Sequence, residues 1–174
     1  MKYRAIPILI FLLVGLTLLP LSYAQPQIEE KAPGFITSTL DGKRIALKDY
    51  WEQHEKKVLV LSFFATWCHP CKEDLKYLQK IQDQYRSRGL EVLCVLTQDS
   101  AKMEAVKEFM HELGVELSVL LDENGIIGKR YRVTGLPCNF LIDQEGILKA
   151  KYLGYSEAVK RDFEGRLKGL LAIP

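Results

Sequence analysis

Trp67-Cys68-His69-Pro70-Cys71, entered from the apolar run Val58-Leu59-Val60-Leu61-Ser62-Phe63-Phe64-Ala65 and left through Lys72, decides how this chain folds. The run from Val58 to Phe64 is continuous and apolar, as a strand covered on both faces would be. Residues 72–88 carry Leu75, Leu78, Ile81 and Tyr85 along one side, which predicts a helix that Gly89 stops. Strand, cysteine pair, then helix is an order that sets one sulfur at a helix N-terminus. Peptide dipoles and unpaired N–H groups favour an anion there. A thiol so placed has a lowered pKa, and the thiolate is the species that attacks disulfides. Pro70 suits the first helical turn, because it lacks the N–H that would go unpaired there.

Upstream, residues 35–40 and 44–47 flank Asp41-Gly42 and predict a β-hairpin. Residues 48–54 read as a short helix or loop with Tyr50 and Trp51 packed on the body. Downstream, residues 90–96 form a second buried strand, parallel to the first because a helix joins them. Ser100 is expected to cap a helix over 101–113 with Val106, Phe109, Met110 and Leu113 inward, ended by Gly114. A strand over 117–121 and a short helix over 125–131 follow. Residues 138–142 and 147–153 flank Asp143-Gln144-Glu145-Gly146 as an antiparallel hairpin. Ser156 caps the last helix, which buries Val159, Phe163, Leu167 and Leu170. The sum is an α/β domain: a mixed central sheet with helices on both faces.

Residues 1–24 read as an address. Lys2 and Arg4 precede an apolar stretch over 6–19, Pro20 breaks it, and Ser22-Tyr23-Ala24 is a small-x-small cleavage site. Cleavage after Ala24 is expected, with a retained membrane anchor as the alternative. Residues 25–30 are polar and read as a loose arm, and 31–174 as the domain. Lys2 and Arg4 account for the formal charge of +2 on the whole chain. The balanced remainder gives no reason to expect nucleic acid or an anionic surface as partner.

The four cysteines are Cys68, Cys71, Cys94 and Cys138. A secreted scaffold stapled by disulfides would have more of them and a smaller apolar core, so reactivity is the expected reason for these. A bridge across one helical turn restrains little chain, which weakens a purely structural reading. Covalent haem attachment would need His where Lys72 stands. A zinc site would need a second ligand pair, and none follows at suitable spacing. The run before Cys68 also lacks the proline of a peroxiredoxin-type site. No metal or cofactor is expected.

The stretch from Phe63 to Lys72 resembles the active-site run of thioredoxin-like proteins. Lys31-Ala32-Pro33-Gly34-Phe35 with Leu40-Asp41-Gly42-Lys43, Leu121-Asp122-Glu123-Asn124-Gly125, and Val133-Thr134-Gly135-Leu136-Pro137 through Phe140-Leu141-Ile142-Asp143 extend the likeness. Together they resemble the TlpA/ResA type of secreted thiol–disulfide oxidoreductase over residues 31 to 170, including a mid-chain helix–strand insertion.

The resemblance implies a thioredoxin-like fold and dithiol–disulfide exchange through a redox-active Cys68–Cys71 disulfide. Cys68, preceded by the exposed-prone Trp67, would attack, and the more buried Cys71 would resolve the mixed disulfide. His69 either supports the thiolate or only modulates potential. Pro137 would be a cis-proline facing the cysteines, with Leu136 pairing substrate backbone, and Asp74 would manage protons. The chain departs from the type at Ser62, where an acid or asparagine is common, at Lys76, where a kinking proline is common, and at Cys138, where threonine is usual. Cys138 reads as a small buried hydrophobe, with a third redox thiol as the alternative, and Cys94 as inert core. The implied partners are protein disulfides such as those of cytochrome c apoprotein and a membrane electron donor. A periplasmic monomer is expected; a disulfide-donating oxidase or a redox sensor without turnover are the competing functions.

Overall fold

The computed structural model describes residues 28–53, 57–97 and 99–172. In chain order these hold β1 (Ile36–Ser38), β2 (Arg44–Ala46), α1 (Leu47–Gln53), β3 (Val58–Phe64), α2 (His69–Tyr85), β4 (Leu90–Thr97), α3 (Met103–Glu112), β5 (Ser118–Asp122), α4 (Ile126–Arg130), β6 (Cys138–Asp143), β7 (Leu148–Leu153) and α5 (Glu157–Leu170). β1 and β2 form the expected hairpin, and the other strands make a mixed sheet in the order β5-β4-β3-β6-β7. β3 runs parallel to β4 and antiparallel to β6. The architecture is thioredoxin-like.

Every residue of β3 is buried, which is why it reads as an unbroken apolar run rather than an alternating one. Its side chains divide between two cores. Val58, Val60 and Phe64 meet α2, α3 and α5, whereas Leu59, Leu61 and Phe63 meet Phe35, Leu47 of α1, Ile127 of α4 and Tyr131. Each such side chain contributes roughly 1.5–3 kcal/mol on burial, so the central strand alone anchors both layers.

Several boundaries differ from the sequence expectations, each for a local reason. α2 starts at His69, not at residue 72, because Cys68 is already its N-cap with an extended backbone and Pro70 fits the first turn. Its last turn tightens into a 3-10 segment, Arg86–Arg88, before Gly89 at φ 96°. Ser100 does not cap α3. That helix begins after Lys102, because Asp99 accepts a hydrogen bond from the Ala101 N–H at 2.8 Å and holds the approach extended. The Trp51 side chain and the leader over 1–24 lie outside the described residues.

The described end of the arm is tied down. Glu29 N–H donates to Leu148 O at 2.7 Å, Leu148 N–H to Glu30 O at 2.8 Å, and Ala32 N–H to Gly146 O at 2.9 Å. The same stretch then crosses the sheet face through Phe35, and Leu40 N–H donates to Val119 O of β5 at 3.1 Å. Among the described residues no helix is long and apolar enough to cross a membrane.

Candidate active site

The chain leaves β3 at Phe64, turns through Ala65-Thr66-Trp67, and enters α2 at Cys68. The turn is closed by Cys68 N–H donating to Ala65 O at 3.1 Å. Cys68 and Cys71 are joined by a disulfide, S–S 1.99 Å, with their Cα atoms 5.3 Å apart. Cys68 keeps 4% of its surface exposed and Cys71 none, while Trp67 beside them is 64% exposed. His69 and Pro70 are exposed as well. Of the two cysteines, the one that keeps some exposure is therefore the one at the helix N-terminus, where a thiolate is favoured by the first-turn N–H groups.

The Leu136–Pro137 bond is cis. Cys138 stands opposite Phe63 in the β3–β6 register, so the Leu136–Pro137 bend meets the chain as it leaves β3 for the cysteines. Pro137 O accepts from Gly154 N–H at 2.8 Å, which ties the bend to the end of β7. Leu136 stays half-buried and touches both cores.

Behind the disulfide, Asp74 lies one helical turn beyond Cys71 on the same side of α2. It is 3% exposed, and both carboxylate oxygens accept from Asn139 Nδ2, at 3.1 and 3.0 Å. Burial pushes the carboxyl up to about 7, against the opposing pull of the Asn139 hydrogen bond. An acid that titrates near neutrality, next to a thiol that must gain and lose a proton, suits acid–base work.

A second carboxylate holds the cysteine loop from outside. Asp99 Oδ2 accepts from Thr66 N–H at 2.6 Å and from Thr66 Oγ1 at 2.7 Å. Burial acts to raise the Asp99 carboxyl, but these bonds with the Ala101 and Ser100 N–H groups outweigh it and hold the carboxyl below its ordinary value. Phe109 of α3 stacks on Phe64 at 6.3 Å and lies under the Lys72 ammonium at 5.8 Å. The mid-chain insertion thus grips the residues on both sides of the disulfide.

The remaining cysteines do not join the pair. Cys94 is fully buried in β4, and burial with the nearby Asp74 charge raises its thiol far above the physiological range. Cys138 points into the opposite core, among Phe63, Tyr131 and Phe140, and burial pushes its thiol up to about 11. Asn139 and Asp99 were not singled out by sequence reasoning. The legible signal for Asn139 is a polar residue inside the apolar run 138–142; an aspartate in a loop, like Asp99, gives none.

The AhpC/TSA family model matches residues 28–151. Thiol-disulfide oxidoreductase ResA of Bacillus anthracis is 35% identical over 142 residues, 82% of this chain and 78% of the relative. ResA of Bacillus subtilis (strain 168) is 33% identical over 138 residues, 79% of this chain and 74% of the relative. Among solved structures, a Chlorobium tepidum protein assigned as thiol:disulfide interchange protein DsbE is similar with a TM-score of 0.74 at 28% identity, covering 83% of this chain and 98% of its own. The matched regions include the cysteine run and the cis-proline bend alike. The chain belongs to the AhpC/TSA family, as a thioredoxin-like thiol–disulfide oxidoreductase of the ResA type.

Proposed function

We propose that this protein reduces disulfides of other proteins outside the cytoplasm, after residues 1–24 have directed its export. In the dithiol form the Cys68 thiolate attacks a substrate disulfide, forms a mixed disulfide and releases one substrate thiolate. Cys71 then passes its proton to the Asp74 carboxylate and attacks the Cys68 sulfur. The second substrate thiolate leaves, and the Cys68–Cys71 bond closes. Two electrons have moved from the chain to the substrate, and a membrane thiol–disulfide donor returns them. The exposed Trp67 and the Leu136–Pro137 bend flank the attacking sulfur, and Leu136 offers backbone groups for an extended substrate segment to pair with. Cytochrome c apoprotein is a substrate of fitting chemistry, since its paired thiols must be reduced before haem attachment.

The observation that carries this reading is the asymmetry of the cysteine pair: Cys68 slightly exposed as the N-cap of α2, Cys71 fully buried one helical turn from the buried Asp74. Substrate trapping tests it. Cys71→Ala should accumulate a mixed disulfide with a protein substrate such as insulin, while Cys68→Ala should accumulate none. Either change should lower turnover by at least about 10³-fold. Trapping by Cys68→Ala alone would reverse the roles, and trapping by neither would favour a sensor. A reduction potential near ~−270 mV fits a reductant, and one near ~−120 mV an oxidant of folding proteins.

A further inference from the structure

Under α2 the sheet presents a row of three buried residues on adjacent strands, Cys94, Ser62 and Asn139. Asp74 comes down on this row, and both of its carboxylate oxygens accept from the Asn139 amide nitrogen. Only the donor end of the amide is used. Asn139 Oδ1 and Ser62 Oγ, on directly opposed residues, have no hydrogen-bond partner among the described residues, although buried polar atoms are nearly always paired. A side-chain amide carries a donor and an acceptor on one flat group, and a half-turn about its broad terminal torsion exchanges them.

We propose that Asn139 is a positioning residue that follows the protonation of Asp74. Its Nδ2 faces the ionised carboxylate, and a half-turn offers Oδ1 to the protonated carboxyl. The inference rests on the proton role given to Asp74 above. Asp74 takes the proton from the Cys71 thiol and later returns it to a thiolate or to solvent; both of its states then stay hydrogen-bonded. The other titratable groups around it are Tyr77 on α2, bonded to Glu164 of α5 at 3.2 Å, Cys94 of β4, and Cys138 across β6. Tyr152 of β7, beside Asn139, gives its hydroxyl to Asp162. Burial raises Tyr77, Cys94, Cys138 and Tyr152, which leaves Asp74 as the one of these groups that titrates near neutrality.

The test is a pH titration of the reduced full-length protein carrying ¹³C at its aspartate carboxyls and ¹⁵N at its asparagine amides. The Asp74 signal is identified by its loss in Asp74→Asn. Asn139→Leu should raise the Asp74 midpoint by about one pH unit or more, because a donor to the charged form is gone. Asn139→Ser, which can still donate and accept, should recover at least about half of that shift. In the parent, the Asn139 amide signals should move with the Asp74 midpoint. Midpoints in both Asn139 variants within ~0.3 unit of the parent overturn the proposal, whatever their stability. So do Asn139 amide signals that ignore the Asp74 titration. If Asp74→Asn leaves the pH profile of thiol–disulfide exchange unchanged, the proton role itself fails, and this inference with it. If Asp74→Asn abolishes the pH limb and the Asn139 variants do not shift it, only the present inference fails.

Discussion

The two sides of the sheet are lined by the same strands and differ in character. On the hairpin side, Phe63, Tyr131 and Phe140 pack with ring centroids 5.1 to 5.7 Å apart, closed over by Phe35, Leu47 and Ile127. On the α2 side the apolar packing is interrupted by Ser62, Asn139 and Asp74 beside the disulfide. Alternation along a strand makes this division possible, since consecutive residues such as Cys138 and Asn139 face opposite cores. The polar groups beside the disulfide lie on one side, and the aromatic cluster that holds the strands together lies on the other.

If that contrast is right, mutations on the two sides should differ in kind. The largest effect should come from the aromatic side: Phe140→Ala should cost about 3–5 kcal/mol in urea unfolding at every pH, leaving the pH dependence of stability unchanged. Asp74→Asn should do the reverse. The folded-state pKa of about 7 lies above the ordinary 3.8, so the folded chain binds a proton more readily than the unfolded one between those values. Parent stability should therefore fall as pH rises from about 4 to about 7, and stay low above it. Asp74→Asn should be more stable than the parent by about 2–4 kcal/mol at pH ~8, with the difference closing below pH ~4. A parent stability that is flat across that window would break the contrast. The smallest effect should be that of Cys138→Ala: about 1 kcal/mol in thermal unfolding, with insulin reduction unchanged. A loss of exchange activity there would mean that the two sides communicate through β6.

The redox pair was legible because strand, cysteines and helix follow one another within a few residues, so local periodicity suffices to orient the sulfurs. The cis bend at Pro137 was legible only through the family resemblance, since nothing in Gly135-Leu136-Pro137-Cys138 alone dictates the isomer. Asn139 and Asp99 act across 65 and 33 residues of chain respectively; no local pattern encodes such pairings. Ser62 shows the same limit. Its departure from the family pattern was visible, but not that an asparagine on the neighbouring antiparallel strand faces it. Helix starts were misread where a side chain or cap residue outside the helix set the boundary, as Asp99 does before α3.

One stretch of backbone, from Glu29 to Leu40, ends on β7 at one side of the sheet and on β5 at the other. Exposed outer strands are templates for pairing with a second molecule, and here a single ribbon blunts both. A protease that severed the ribbon would uncover the two margins together. The resulting damage would be clumping of the protein, long before any failure of its sulfur chemistry.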